Sequence, residues 1–325
     1  MAKRSPEDQL VSRISRGFRG WREAGLRLGC GDDAALWQPR PGYQTVLTSD
    51  WFLEGSHFLR EKHPADSVGW KCLARAVSDI AAMGGIPRCF LLNLAIPASH
   101  TGRWLDEFLG GLRRAAKFLR CSMAGGDTTR NHQILINVTV VGEVKQGKAV
   151  LRSGARPGDL LFVSGNLGEA ELGLQEFRRR GKHALKAMSP ALRKHLYPKP
   201  QIKLGQWLAE NHFANAMMDL SDGLSTDLAR LCEASGVGAV IAEGALPGLA
   251  GLPESEAIRL ALHGGDDYEL LFTVPARRIP KLKRSLGHRR IAFIGGVTKA
   301  RKLVLTRGEK APEELVSAGW DPFRS

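Results

Sequence analysis

Strand-like and helix-like segments alternate along the first half of the chain. Residues 44–49 and 133–144 are rich in β-branched and apolar residues, as strands are. Residues 66–83 place apolar side chains at helical spacing, and the two glycines and the proline of 84–87 are residues that commonly end a helix. A further helix is predicted over 101–119. This alternation indicates an α/β or α+β fold rather than an all-helical one.

The chain is long enough for two domains. It has 325 residues, and a domain averages about 150 residues. Residues 146–158 collect glycine, proline and charge, and a new strand-like segment follows at 160–165. We therefore predict an N-terminal domain over residues 1–147 and a C-terminal domain over residues 148–325.

Composition narrows the class of protein. The first ten residues contain no apolar core of a signal peptide, and no run approaches the ~18 apolar residues of a spanning helix. We predict a cytoplasmic protein without a membrane partner. The five cysteines include no CxxC pair, which favours reduced thiols over disulfides or zinc. The formal net charge of +14 attracts any anion, so charge alone does not choose between nucleic acid and a small anionic ligand.

Short acidic segments, most of them beside glycine, recur along the chain, and we predict that each forms a loop. They are GDDAA at 31–35, TSD at 48–50, AGGDTTR at 124–130, DLSDG at 219–223 and HGGDDYEL at 263–270. One such segment ordinarily closes an Asx turn or caps a helix. In the fourth segment, Ser221 or Asp222 is expected to cap the helix that follows. That reading leaves Asp219 unexplained.

Five acidic segments in one chain indicate more than turn chemistry. Adjacent carboxylates, as in Asp32 with Asp33 and Asp266 with Asp267, repel each other unless a cation or solvent separates them. Carboxylates and hydroxyls without histidine or thiolate pairs are hard oxygen ligands, which suit Mg²⁺ or Ca²⁺. Magnesium typically binds one or two carboxylates together with phosphate oxygens. The pattern therefore favours a magnesium-dependent nucleotide site.

Two familiar nucleotide motifs occur only in part. Residues 142–149 match GxxxxGK, but Ala149 lacks the hydroxyl that would bind Mg²⁺. Residues 29–34 match GxGxxA, yet Asp32 and Asp33 would face a pyrophosphate directly. Neither a P-loop protein nor a dinucleotide-binding fold is expected.

Asp79 is unusual for its position in the predicted helix. It lies near the C-terminal end, where a negative charge opposes the helix dipole. A solvated surface aspartate and a metal ligand explain this placement equally well.

Taken in order and spacing, six segments resemble one family. They are GDDAA, TSDWFLEGSHF, LARAVSDIAAMGGIP, MAGGDTTR, DLSDGLSTDL and HGGDDYELLF. They resemble the thiamine-monophosphate kinases of the aminoimidazole ribonucleotide synthetase superfamily, over about residues 7–323. The resemblance implies a homodimer whose N-terminal sheets join across the subunits. It also implies that residues 1–147 bind metal and ATP and that residues 148–325 complete the cleft.

The resemblance implies roles for particular residues by their position in these segments. The ligands of several Mg²⁺ ions would be Asp33, Thr48, Ser49, Asp50, Asp79, Asp127, Asp219 and Asp222. ATP would contact Gly126, Asp127, Arg152 and Ser221, and thiamine phosphate would contact His57, Asp266 and Trp320. Asp266 departs from the family pattern, which usually has the longer glutamate there.

The implied reaction is transfer of the ATP γ-phosphoryl group to thiamine monophosphate. A phosphate monoester with a second pKa of about 6 is largely deprotonated at neutral pH, so no general base is required. Positioning and charge neutralisation by Mg²⁺ would supply the catalysis. A synthetase of the same superfamily is the first alternative, and TSDWFLEGSHF argues against it. A nucleic-acid-binding protein is least favoured, because the basic residues are dispersed and only three tyrosines are present.

Overall fold

The computed structural model describes residues 5–18, 20–30 and 32–324, and its chain divides into two units. The first unit is Met1–Ile80 with Gly85–Gln146, and the second is Ala81–Gly84 with Gly147–Ser325. Gly31, which opens the first acidic segment, lies outside the described residues. Within the described part of the chain, no helix is both long and apolar enough to cross a membrane.

The first unit is built on a four-stranded sheet in the order β3-β6-β4-β5. Its elements are α1 (Pro6–Arg16), β1 (Leu26–Leu28), β2 (Leu36–Trp37), β3 (Tyr43–Leu53), α2 (Ala65–Ala82), β4 (Ile86–Ile96), α3 (Arg103–Leu119), β5 (Ser122–Arg130) and β6 (Leu135–Lys145). In this sheet β4 and β5 are parallel and the other neighbouring strands are antiparallel, while the short β1 and β2 pair separately. Strands β3 and β5 are therefore the outer strands of the sheet.

Helix α2 lies on one face of this sheet. Ile80 packs so closely on Gly142 of β6 that a side chain at that glycine would meet it at 2.8 Å. Along β3, Val46 and Phe52 are buried on the same side, while Leu47 and Trp51 on the other side are 67% and 56% exposed. Alternate residues of a strand point to opposite faces. One face of the sheet is therefore covered by a helix, and the other leaves large apolar side chains in solvent.

The second unit contains a seven-stranded sheet in the order β13-β12-β9-β11-β7-β10-β8. Its elements are β7 (Asp159–Ser164), α4 (Glu169–Arg180), α5 (Ala184–Ala187), α6 (Pro190–Leu196), α7 (Ile202–Glu210), β8 (Ala216–Leu220), α8 (Leu224–Ser235), β9 (Gly238–Ala242), α9 (Glu254–His263), β10 (Glu269–Pro275), α10 (Ile279–Ser285), β11 (Ile291–Thr298), β12 (Leu303–Thr306) and β13 (Glu313–Glu314). Strands β9 and β12 are parallel, and the other neighbours are antiparallel.

Apolar residues of this sheet alternate between two hydrophobic cores. Leu161 of β7 packs in the core that contains Leu228 of α8. Its neighbour Phe162 packs in the other core, with Leu208 of α7. The sheet is therefore covered by helices on both faces, and the predicted α/β fold class is confirmed.

Four predicted elements are confirmed, and two predicted loops are wrong. The helices α2 and α3 and the strands β6 and β7 lie within two residues of their predicted bounds. The segments 48–50 and 124–130, predicted as loops, instead lie inside β3 and β5. Residues 48–50 pair with β6, and residues 125–130 pair with β4. Ladder pairing holds these acidic residues in extended chain, a tertiary effect that outweighs the local loop preference of glycine and aspartate.

Candidate active site

Two helical residues of α2 meet two strand residues of β3 on the covered face of the first sheet. The Thr48 hydroxyl donates a hydrogen bond to Asp79 Oδ2. One helical turn earlier, Arg75 Nη2 lies 3.7 Å from Asp50 Oδ1. Because the residues are spaced by two on the strand and by four on the helix, both pairs face each other in register. The structure therefore brings Thr48, Asp50 and Asp79 to one patch, where Asp79 is half-buried rather than a surface residue.

Ser49 points to the opposite face of the sheet. Its hydroxyl lies 3.0 Å from Thr139 Oγ1 and 3.1 Å from the amide nitrogen of Asn137, which donates to it. Asn93 donates to Asn137 Oδ1 at 3.4 Å, and its own Oδ1 accepts the Asp127 N–H at 3.1 Å. A row of polar side chains thus crosses the open face from Ser49 to Asp127.

Asp50 and Asp127 are not brought together within one chain. The ladder aligns Asp50 with Val138, Val138 with Leu92, and Leu92 with Gly126. Three strand spacings separate the outer strands, which is about 14 Å. A single cation could not bind both carboxylates of the same subunit.

Gly126 has a conformation that favours glycine. Its φ is +145°, and a Cβ atom there would lie 1.8 Å from the Leu92 carbonyl oxygen. The neighbouring Gly125 has room for a Cβ, which would meet Leu91 at 3.4 Å. Of the two glycines in this segment, Gly126 is the one that the backbone requires.

The remaining site residues of the first unit lie in connecting segments. Asp33 is exposed, and its N–H donates to the Asp32 carboxylate at 2.9 Å. The His57 ring lies against Phe52, with centroids 5.6 Å apart, and its Nδ1 accepts the Leu53 N–H at 3.0 Å. In the neutral ring, an accepting Nδ1 leaves the proton on Nε2.

In the second unit, one buried carboxylate organises the DLSDG segment. Asp227 Oδ2 accepts the N–H groups of Ser221 and Asp222 at 3.0 Å each and that of Gly223 at 3.2 Å. Burial, and then the charge of Asp222, raises the pKa of Asp227 to about 6. The predicted cap by Ser221 or Asp222 is wrong. The N-cap is Gly223 at φ +110°, without a side-chain cap, because Asp227 satisfies the loop N–H groups from inside the helix.

The DLSDG segment meets two other parts of the second unit. The Asp266 N–H donates to the Ser221 carbonyl at 2.8 Å, and the Trp320 N–H donates to the Asp222 carbonyl at 2.9 Å. Asp219 lies just before this junction, buried near the end of β8. Residues far apart in sequence therefore converge where β8 ends.

Asp266 and Asp267 have separate partners. The Tyr268 hydroxyl donates to Asp266 Oδ1 at 2.7 Å. Asp267 is buried and accepts the N–H groups of Gly168 and Ala170 at the start of α4, with Lys194 Nζ 3.6 Å away. Burial raises the pKa of Asp267 to about 6. Each carboxylate of this pair therefore has its own tertiary partners, which the sequence does not reveal.

Arg152 lies beside β8. It begins the short 3₁₀ helix Arg152–Gly154, is exposed, and its carbonyl accepts the Ser235 hydroxyl at 2.6 Å. The preceding Leu151 bridges to Ala216 at the start of the strand. Asp219 lies three residues further along that strand.

The residues present fit magnesium better than a softer metal. Among the described residues, no group of three or more His, Cys, Asp or Glu side chains is arranged to hold a metal. The candidate ligands are six carboxylates and the hydroxyls of Thr48 and Ser49, and the Thr48 hydroxyl already contacts Asp79. Mg²⁺ usually takes one or two carboxylates and completes its octahedron with water and phosphate oxygens. Such a site requires no closed protein cage.

A cavity of about 1090 Å³ lies in the first unit beside the end of β5. It is formed by α1, α3 and the end of β5, and Thr128 lines it. Its basic lining residues are Arg13, Arg16, Arg113 and Arg130. The volume is at the upper end of ordinary ligand pockets, and the charge suits an anion.

Comparison with known proteins decides the family. The family described as AIR synthase related protein, N-terminal domain, matches residues 31–144, and its C-terminal domain matches residues 156–308. The thiamine-monophosphate kinase of Escherichia coli (strain K12) is 37% identical over 322 residues, covering 96% of this chain and 97% of the relative. The chain belongs to the thiamine-monophosphate kinase family.

Solved structures of the thiamine-monophosphate kinase family support the same assignment. The crystal structure of the enzyme from Stenotrophomonas maltophilia K279a matches with a TM-score of 0.79 and 35% identity, covering 93% of this chain and 96% of that one. AaThiL, solved in complex with AMPPCP and TMP, matches with a TM-score of 0.72 and 30% identity, covering 97% and 99%. Both the sequence and the fold therefore place the chain in this family.

Proposed function

We propose that this chain is a thiamine-monophosphate kinase that transfers the γ-phosphoryl group of ATP to thiamine monophosphate, giving thiamine diphosphate and ADP. The observation that carries the proposal is the junction where the DLSDG segment meets Asp266 and Trp320. It joins the predicted nucleotide and substrate positions at one strand end. AaThiL, which matches over nearly its whole length, was solved with AMPPCP and TMP.

In this reaction the chain's own residues would bind ATP, thiamine monophosphate and Mg²⁺. Ser221 and Arg152 would hold ATP, and the neutral His57 would donate its Nε2 proton in a hydrogen bond to substrate phosphate. The Trp320 indole would lie on the thiazolium ring, since an aromatic face attracts a cation. Asp50, Asp79 and Asp127, with the other predicted ligands, would hold Mg²⁺. When bound, Mg²⁺ supplies neutralisation of the charge that develops between two phosphates.

The first unit would act as half of a homodimer. Its sheet leaves Leu47 and Trp51 in solvent on the face that carries Ser49. Large exposed apolar side chains on one face mark an interaction surface. Joining β3 of one copy to β5 of another would also bring the predicted ligands of β3 towards the partner subunit's Asp127, which a single chain cannot do. Light scattering tests this, because Leu47→Asp should shift a dimer towards monomer.

The cavity of the first unit supports the proposal that the enzyme binds ATP. The cavity beside the end of β5 would take the base and ribose of ATP, with its arginines near the phosphates. We place the enzyme in the cytoplasm, where ATP is available and its cysteines stay reduced.

An ADP-release assay with ATP, Mg²⁺ and thiamine monophosphate tests the function. Thiamine diphosphate should form with the monophosphate and should not form with unphosphorylated thiamine or after chelation of Mg²⁺. If ATP binds but no thiamine diphosphate appears, the substrate assignment is wrong, and a synthetase activity takes its place.

A further inference from the structure

An arginine of α2 lies beside Asp50 in the first unit. Arg75 Nη2 lies 3.7 Å from Asp50 Oδ1, and the Arg75 side chain is only 14% exposed. Its guanidinium carbon lies 5.5 Å from the Phe52 ring centroid, within the range of a cation–π contact. Arg75 is therefore packed in place rather than extended into water.

Asp222 has the same kind of partner in the second unit. Arg230 Nη1 donates to Asp222 Oδ2 and, at 3.0 Å, to Asp227 Oδ1. The Arg230 side chain is 44% exposed. In each unit, an arginine from the helix that packs on the site holds one of the predicted Mg²⁺ ligands.

We propose that Arg75 and Arg230 are positioning residues that hold Asp50 and Asp222 while no metal is bound and compete with Mg²⁺ for them. The inference rests on the proposed function, because it takes both aspartates as Mg²⁺ ligands. An arginine stays protonated at any physiological pH, so its charge must be displaced before a cation can bind the same oxygens. The two arginines thereby raise the Mg²⁺ concentration that the enzyme needs.

Burial sets the order of the two effects. Water screens an exposed ion pair and weakens it. Arg75 is the more buried, so its removal should strengthen Mg²⁺ binding more than removal of Arg230. A neighbouring opposite charge weakens the affinity of a carboxylate for a proton by roughly tenfold or more, and we expect an effect of similar size on its affinity for Mg²⁺.

Calorimetric titration with Mg²⁺ alone tests the inference on the full-length chain. Arg75→Met should bind Mg²⁺ about tenfold more tightly than wild type, and Arg230→Met should show a smaller gain. Arg75→Lys, which keeps the charge, should stay near wild type. Arg114→Met is the matched control, because it removes an exposed arginine paired with Asp66 elsewhere in the first unit. It should leave Mg²⁺ affinity unchanged.

A second measurement follows thermal unfolding rather than the heat of Mg²⁺ binding. Without metal, Arg75→Met should unfold at a lower temperature than wild type, since it leaves the Asp50 charge without its arginine, and added Mg²⁺ should raise that temperature more than in wild type. If the methionine variant does not fold, Arg75→Gln keeps polarity without charge and replaces it in both measurements.

Asp50→Asn and Asp222→Asn separate the inference from the metal assignment. If both variants lose Mg²⁺ binding while Arg75→Met binds no more tightly than wild type, the competition is wrong and the metal assignment stands. If neither aspartate variant changes Mg²⁺ binding, the metal assignment is wrong and the arginines have only a structural role. Tighter binding in the arginine variants together with loss in the aspartate variants supports the proposal.

Discussion

The carboxylate of Asp227 accepts the backbone N–H of Ser221 at 3.0 Å, from inside the helix that follows the DLSDG segment. The same oxygen accepts two further N–H groups of that segment. Asp227 thus fixes the conformation of a loop that we assign to ATP and metal binding, although it need not touch either. In the sequence, the only indication of this role is that Asp227 lies in the first turn of a predicted helix.

Asp227→Asn should loosen this loop. Asparagine has an NH₂ group in place of one carboxylate oxygen, and this group cannot accept hydrogen bonds. It would face either the loop N–H groups or Arg230, and both of these are donors. We expect a loss of about 1–3 kcal/mol in the free energy of unfolding and weaker binding of a non-hydrolysable ATP analogue by calorimetry. Glu233→Gln, on an exposed position of the same helix, is the control. Unchanged analogue affinity in Asp227→Asn would remove the positioning role.

Gly126→Ala should impair the protein, whereas Gly125→Ala should not. A Cβ at residue 126 would lie 1.8 Å from the Leu92 carbonyl oxygen at a φ of +145°, so β5 must move away from β4. A Cβ at residue 125 makes only an ordinary contact with Leu91. We expect the first variant to lower the unfolding temperature and to lose ATP-analogue binding. The second should match wild type in both, and equal behaviour of the two variants would contradict the geometry.

The sequence predicted the helices and strands better than it predicted the partners of the charged side chains. Hydrophobic period and breaker residues located α2 and β6, because those signals are local. The partners of Asp227 and Asp267 could not be predicted, since the N–H groups they bind are fixed only once helices and loops pack. The loop prediction for 48–50 failed for the same reason, because pairing with β6 is a long-range contact.

Charge removal at the predicted metal ligands should abolish turnover without unfolding the chain. Asp79→Asn and Asp127→Asn keep side-chain size but weaken Mg²⁺ binding, because a neutral amide attracts the cation less than a carboxylate does. We expect loss of most ADP release at saturating ATP, with unfolding temperatures close to wild type. Asp66→Asn, which lies at the start of α2 and pairs with Arg114, is the matched control. Near-wild-type turnover in Asp79→Asn at high Mg²⁺ would show that the ligand assignment is wrong.

Trp320→Ala should act mainly on substrate affinity. The backbone N–H of Trp320 is fixed on the Asp222 carbonyl, while its side chain is 42% exposed. Stacking of the indole on a cationic thiazolium is worth roughly 0.5–2 kcal/mol. We therefore expect KM for thiamine monophosphate to rise several-fold and kcat to change much less. Phe323→Ala, at a 94% exposed aromatic of the same tail, should change neither. An equal fall in kcat would contradict stacking.

His263 should make the second unit less stable in acid. Its Nδ1 lies 2.9 Å from the Ser225 hydroxyl, and burial, then the charge of Arg259, lowers the pKa of His263 below its ordinary 6.5. The unfolded chain therefore binds more protons below pH 6.5. The stability that His263 contributes is fully present above that pH and is lost as the pH falls through the folded-state value.

His263→Gln isolates this effect when its unfolding temperature is compared with wild type across the same pH series. Asp227 and Asp267, whose pKa values burial raises to about 6, act in the opposite direction, with stability lost as the pH rises through that value. Both are present in both proteins, so their contribution cancels in the difference. The difference in unfolding temperature between His263→Gln and wild type should shrink as the pH falls below 6.5. A constant difference would mean that the folded chain does not resist protonation of this ring.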